Sequence, residues 1–352
     1  MTSVRDLDAS ILLLTCEMFF RQKLATRTIS EKVEAELRRI GSDFEMSREK
    51  VYELIRESRR RGFFQILPPQ QVALRDRLEA RYGEGFHVAH ITELAHLATA
   101  AAEVVAELIG KLHKAGRAKV HLGLGAGKTS MLVAQHLAVR LRAAEQLPKL
   151  VIHALTSGFS VTQPHTAPVS FFGFFEAVPT EISYVGLFAA PCVETRDYQN
   201  TRKATGVKES FDAADQIDIV LTALGSPSHG HGDFYRFMQG GSPRGFQALV
   251  RAGWIGDVQY RPYSVSGPIT LDTKVRAVTL FELEDLVRLA ATPKRHVVLI
   301  AGPCSDADCK KTRPDAIRPL LVEPSLKVWN TIVTDVATAR ELLESPPAPG
   351  RR

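Results

Sequence analysis

Cysteine is scarce in this chain and forms no pattern. The four residues, Cys16, Cys192, Cys304 and Cys309, include no CxxC pair. Neither a disulfide framework nor a zinc site is suggested, and a reducing cytoplasm is the expected setting. No apolar stretch is long enough to cross a bilayer. The first, Ile11 to Leu14, soon meets Glu17 and Arg21, and acidic Asp6 and Asp8 stand where a signal peptide needs basic residues. Internal repeats are also absent, which excludes a solenoid. What is present is ordinary for a globular protein: 45% hydrophobic and 24% charged residues over 352 positions, enough for one small and one large domain. The net charge of +6 agrees with a polyanionic partner, although its placement matters more than its sum.

Apolar periodicity divides the chain. Asp6 to Leu24 carries Leu7, Ile11, Leu14 and Met18 mostly at helical spacing. A second helix, capped by Thr28 or Ser30, puts Ile29, Val33 and Leu37 on one face and ends in Arg38 and Arg39 before Gly41. A third runs from Ser47 to Gly62. After an extended stretch, Phe63 to Leu67, Pro68 and Pro69 forbid a continuous helix and mark a domain edge. Gln70 to Tyr82 has only Val72, Leu74 and Leu78 as apolar anchors and reads as a connecting or dimer-forming helix. Beyond Val88, strand candidates alternate with helical patterns: Lys119 to Gly125, Lys149 to Leu155, Ile182 to Phe188, Ile217 to Leu224, Val297 to Gly302 and Asn330 to Thr334. That alternation predicts a largely parallel sheet covered by helices on both faces.

Two segments carry chemistry. In SREKVYELIRESRRRG, Ser47 caps the helix, Val51, Leu54 and Ile55 face a core, and Arg48, Tyr52, Arg56 and Arg59 lie opposite. Residues 47–61 hold six Lys or Arg against three Glu. First-turn side chains such as Ser47, Arg48 and Lys50 can meet base edges, and the later Arg59 and Arg60 can meet phosphates. A solvated helix whose basic end complements its own dipole is the competing explanation. The second segment, KVHLGLGAGKTSMLVAQHL, fails the nucleotide P-loop by one position, because Leu122 stands where the first glycine is required. Its physics survives: Gly125 and Gly127 permit close backbone approach, and a helix N-terminus with Lys128 and Thr129 favours a phosphate.

The remaining constellations are weaker. His229, His231 and Asp233 in SPSHGHGDF could ligate a metal, yet histidines two apart in a glycine-rich loop are more often exposed or substrate-facing, so no metal and no cofactor are expected. Ser157-Gly158 lacks the GxSxG context of a nucleophile. Asp257, after a glycine in an expected turn beside Arg261, is suited to accept sugar hydroxyls or simply to hold the turn.

MFFRQKLATRTISEKVEAEL and SREKVYELIRESRRRGFFQI, then LRDRLEARYGEGFHVAHI, GLGAGKT, LTSGFS, GLFAAPCVE, DIVLTALGS, GWIGDV, VVLIAGPC and NTIVTDVATARELL, follow one another in an order that resembles the SorC/DeoR-type sugar-binding transcriptional regulators of bacteria. The resemblance implies a winged helix-turn-helix domain joined to a Rossmann-like α/β effector domain of the ribose-phosphate isomerase, glucosamine-phosphate deaminase and CoA-transferase type. It implies operator DNA and a phosphorylated sugar as partners, and a homotetramer or homodimer. It also implies a phosphate cradle over Gly123, Gly125, Ala126, Gly127, Lys128 and Thr129, with Ser157, Gly158, Asp257 and Lys310 nearby. Expected boundaries are 1–67 for the DNA-binding domain, 68–87 for a linker or oligomerisation helix, 88–345 for the effector domain and 346–352 for a disordered tail. The chain departs from the family pattern at an extended second turn (residues 39–46), at Tyr52-Glu53, at Ser264 in place of an aspartate, and in an insertion before Lys310 and Lys311. The rival classes are a sugar-phosphate isomerase or deaminase and a ligand-free nucleic-acid-binding protein.

Overall fold

A computed structural model describes residues 4–64, 67–158, 163–306, 308–309 and 311–344. The chain divides into two compact units, with the break between Ile66 and Leu67.

The first unit is a bundle of three helices, α1 (Ala9–Cys16, continued by a wider turn at Glu17–Arg21), α2 (Thr26–Arg39) and α3 (Arg48–Arg60). The first starts later than its periodicity suggests, because the Asp8 carboxylate accepts the Ser10 N–H at 2.7 Å and fixes the start. Helix α2 begins at Thr26 without a side-chain cap, so Thr28 and Ser30 lie inside it. Ser47 does cap α3, accepting the Lys50 N–H at 3.3 Å. Ile11, Leu12, Ile29, Val33, Leu37, Val51 and Leu54 form the core, with Phe44 of the extended α2–α3 connection folded in. Among the described residues of this unit there is no strand, so the expected wing is not among them.

The second unit begins with α4 (Val72–Tyr82), β1 (Phe86–Ala89), α5 (Leu94–Lys114), β2 (Lys119–Leu124), α6 (Lys128–Arg142), β3 (Lys149–Ala154) and β4 (Ile182–Val185). It continues through β5 (Cys192–Glu194), α7 (Tyr198–Lys203), α8 (Lys208–Asp212), β6 (Ile219–Gly225), α9 (Asp233–Gly241) and α10 (Pro243–Arg251). The last part comprises β7 (Gly256–Val258), β8 (Arg261–Ser264), β9 (Gly267–Pro268), β10 (Val275–Ala277), α11 (Leu283–Ala291), β11 (His296–Ile300), α12 (Pro314–Val322), β12 (Thr331–Asp335) and α13 (Val336–Leu343). Seven strands pair in the order β1-β12-β11-β6-β2-β3-β4, all parallel. An antiparallel excursion, β7-β8-β9, grows from the end of β6.

Alternate side chains feed two cores, as a sheet covered on both faces requires. In β11, Val298 and Ile300 pack with α5 and α6, while Val297 and Leu299 pack with α4, α12 and α13. The segment read as a linker helix is therefore integral to this unit: Leu74 and Leu78 of α4 are buried with Phe86, Trp329 and Leu342. Two well-placed anchors were enough because α4 covers only the sheet edge. The expected tail lies outside the described residues.

Candidate functional site

The strand order reverses between β2 and β6. From β2 the chain runs outward to β3 and β4, then returns to lay β6 on the other side, with β11 and β12 beyond. Loops leaving such neighbouring strand ends diverge and open a crevice. A cavity of about 370 Å³ lies there, within the range that admits a small metabolite. Its wall includes Ala126 to Thr129 after β2, Thr222 to Ser226 at the end of β6, and Asp257, Gln259 and Tyr260 of the β7–β8 hairpin. His229 and His231 before α9, and Cys304 and Arg313 after β11, also line it, as do the charged Asp233, Arg236, Asp306 and Asp308.

The glycines of the loop divide the work differently from expectation. Gly127 has φ +103° and nothing within 4 Å of an added Cβ, so it is needed for backbone shape and not for close approach. It donates to Thr166 O at 2.9 Å. The first amide bonded back into α6 is that of Met131, to Gly127 O at 3.0 Å, which leaves the N–H groups of Lys128, Thr129 and Ser130 as the donors of the helix N-terminus. Gly125 supplies the close approach, but to protein: its N–H bonds Leu221 O at 2.9 Å, and a Cβ would lie 3.2 Å from that oxygen. Gly123 packs against Leu155 and Ile217, away from the cavity. Ser157 donates to Leu187 O at 3.2 Å and Gly158 packs on Ala167, so neither joins the wall. Lys310 lies outside the described residues.

Asp257 is in the wall, although it sits in strand β7 opposite Gly225 and not in a turn. Arg261 turns away from it to bind Glu282 at 2.7 Å. Burial raises the Asp257 carboxyl to about 7, against the opposing pull of Arg313, and nearby Asp233 adds to the rise. The hairpin beyond it holds Gln259 and Tyr260 at φ 50° and 62°, left-handed conformations that side-chain-bearing residues rarely adopt.

Arg313 escaped the sequence reading. Lodged beneath the pocket at the start of α12, its guanidinium donates to Gly302 O at 3.0 Å, to Pro303 O at 3.4 Å and to Leu224 O. No carboxylate among the described residues forms an ion pair with it. Burial lowers its pKa, but a guanidinium keeps its charge in a protein. Exposed Lys128 and the α6 N-terminus add positive potential on the opposite wall. Chain separation hid two further neighbours: Cys304 and Cys309, read as forming no site, lie beside His229 and His231, while Asp233 stays apart at the start of α9.

In the first unit, Arg48, Tyr52 and Arg56 are exposed along one side of α3, four residues apart. Arg48 also donates to Thr26 Oγ1 at 3.1 Å, which fixes the helix start against α2. Arg56 has no partner among the described residues. Lys50 is half-buried, bonded to Glu53 at 2.8 Å and lying over the Phe44 ring, and Arg59 is half-buried too. Arg60 is committed to Glu57 through two bonds of 2.7 and 2.5 Å, and Arg61 adds a third at 2.9 Å. These bonds, Arg60's first, hold the buried Glu57 carboxyl at about 2. The basic end of α3 is therefore partly neutralised within the unit.

Solved structures answer the question of kinship in architecture. The full-length sorbitol operon regulator SorC of Klebsiella pneumoniae superposes with a TM-score of 0.62 at 16% identity, over 96% of this chain and 99% of that one. The chain has the SorC fold. A DeoR family transcriptional regulator of Listeria monocytogenes gives 0.58 at 16% identity, over 77% of this chain and 98% of its own. A transcriptional regulator of Streptococcus pneumoniae gives 0.54 at 16%, over 77% and 95%. No protein-family model and no curated protein matches the sequence. The SorC fold thus spans both units of this chain.

Proposed function

We propose that this protein is a DNA-binding transcriptional regulator whose operator affinity is set by a phosphorylated sugar or a related anionic metabolite. The observation that carries the reading is the charge arrangement of the cavity: a half-buried guanidinium, Arg313, that no carboxylate of the described residues holds in an ion pair faces the same space as an open helix N-terminus with Lys128 and Thr129. Such a site is suited to an anion with several acceptor oxygens. The exposed row Arg48, Tyr52 and Arg56 on a Ser-capped helix of a three-helix unit supports the DNA half. Coupling would follow from linkage, the effector shifting the protein only as far as its affinities for two arrangements differ. Assembly as a dimer or tetramer belongs to the proposal, since two recognition helices are needed to read paired half-sites. So does a cytoplasmic setting, which agrees with the described residues holding no helix long and apolar enough to cross a membrane.

One feature favours the enzyme reading: a carboxyl titrating near neutrality in the pocket wall, Asp257, is placed for acid-base work. A thermal-shift screen of sugar phosphates with a parallel turnover assay separates the two. An effector at about 100 times its dissociation constant should add roughly 2.7 kcal/mol of stability without being consumed. Consumption of the stabilising compound would transfer the protein to the enzyme class, and no stabilisation by any phosphorylated sugar would remove the effector.

A further inference from the structure

The β6–α9 loop and the β11–α12 loop come together at the rim of the cavity, and each contributes two metal-ligating side chains. His229 and His231 stand two apart on the first, Cys304 and Cys309 five apart on the second. One ligand atom from each of the four lies within 4.8 Å of all the others. His231 Nε2 is 2.9 Å from Cys304 Sγ, and Cys309 Sγ is 3.6 Å from His229 Nδ1. Tetrahedral zinc, with metal-sulfur bonds of about 2.3 Å and metal-nitrogen bonds of about 2.0–2.1 Å, sets its ligands roughly 3.3–3.8 Å apart. The observed cluster is within about 1 Å of that spacing. Local backbone prepares it: Gly230, at φ 70°, lets the chain turn between the two imidazoles, and Cys304 N–H bonds Lys311 O at 2.9 Å, closing the loop that carries both thiols.

We propose that His229, His231, Cys304 and Cys309 form a site for one divalent metal ion of zinc-like softness. Two imidazole nitrogens and two thiolates supply the donor set that zinc prefers, and binding releases two thiol protons to solvent. Two thiolates balance the metal's charge, so the closed site adds no net charge beside the anion-binding wall. With four protein ligands no coordination position stays open, which makes the ion a structural clamp and not a Lewis acid. The clamp joins two loops separated by more than seventy residues and holds His229, His231 and Cys304 in the cavity wall. The metal site stands whether or not the ligand of the cavity is a sugar phosphate.

The test uses the full chain, reduced, loaded with zinc and dialysed against metal-free buffer. One zinc per chain is expected by elemental analysis. Replacement by cobalt should produce thiolate-to-cobalt charge transfer and the intense visible bands of a tetrahedral centre. Cys309→Ser and His229→Gln should each lower zinc affinity by about a hundredfold or more, since losing a ligand exceeds the tenfold to hundredfold effect of an outer-shell change. Cys16→Ser and Cys192→Ser should retain the metal. Should a ligand variant fail to fold, the cobalt spectrum of the unmodified chain still decides. No retained metal, a cobalt spectrum without thiolate character, or a Cys304–Cys309 disulfide in the reduced and zinc-loaded sample would overturn the proposal.

Discussion

Asp257→Asn should change how the second unit's stability depends on pH, and the size follows from the carboxyl's position. Asp257 is buried in β7 against Gly225, with Arg313 as its counter-charge and Asp233 adding repulsion, and it titrates at about 7 where an ordinary aspartate titrates at 3.8. Its folded pKa is raised, so between those values the folded chain keeps a proton that the unfolded chain has released. Stability must fall as pH rises through this window and level off above about 7. Three units correspond to roughly 4 kcal/mol in all, of which about 2–3 kcal/mol is lost between pH 5 and pH 8. The assay is clean because both tryptophans, Trp254 and Trp329, are buried in the second unit. Urea unfolding followed by tryptophan fluorescence therefore reports that unit alone. The asparagine variant should gain on the unmodified chain by about 2–3 kcal/mol from pH 5 to pH 8. Parallel pH profiles for the two proteins would refute the burial argument.

Lys128→Ala should weaken binding of a phosphorylated effector by about 10–100-fold by titration calorimetry, the value of one charge-assisted hydrogen bond, and leave the unphosphorylated sugar little affected. Arg56→Ala should weaken DNA binding; a lost phosphate contact lowers the salt slope by about 0.9, whereas a lost base contact costs about 1–3 kcal/mol at one base position. Glu57→Ala should destabilise the first unit by about 1–3 kcal/mol at neutral pH, measured by circular dichroism in urea, because buried Glu57 holds both Arg60 and Arg61. Its carboxyl is depressed from 4.5 to about 2, so the unmodified chain should lose this contribution only as pH falls through that range.

The long strands and the start of α3 were legible where one local force dominates. β2, β3, β6, β11 and β12 are buried on both faces and read as apolar runs, and the Ser47 cap needs only a neighbour three residues on. The short strands β5 and β7 to β10 take their identity from partners elsewhere in the chain: β5 pairs with β10 across more than eighty positions. The glycine-rich loop before α6 was visible as Gly-x-Gly-Lys-Thr, but the separate tasks of Gly125 and Gly127 depend on β6 and on φ, neither of which the spacing reveals. Arg313 had no signal at all, being one arginine before a proline, and it matters only because β6 and β11 end beside it. The spacing of the cysteines along the chain suggests no site, because it says nothing of two loops that meet in space.

The central claim is that a phosphate-holding pocket controls DNA binding, and fluorescence anisotropy tests it. An operator selected from a random DNA library is titrated with the full chain, with and without the sugar phosphate that best stabilises the second unit. Operator affinity should change by about 5–150-fold in either direction, the usual range of coupling energies. Lys128→Ala should bind the operator normally and fail to respond at the same effector concentration. Operator binding that no stabilising sugar phosphate alters, or no DNA selected above background, would contradict the account.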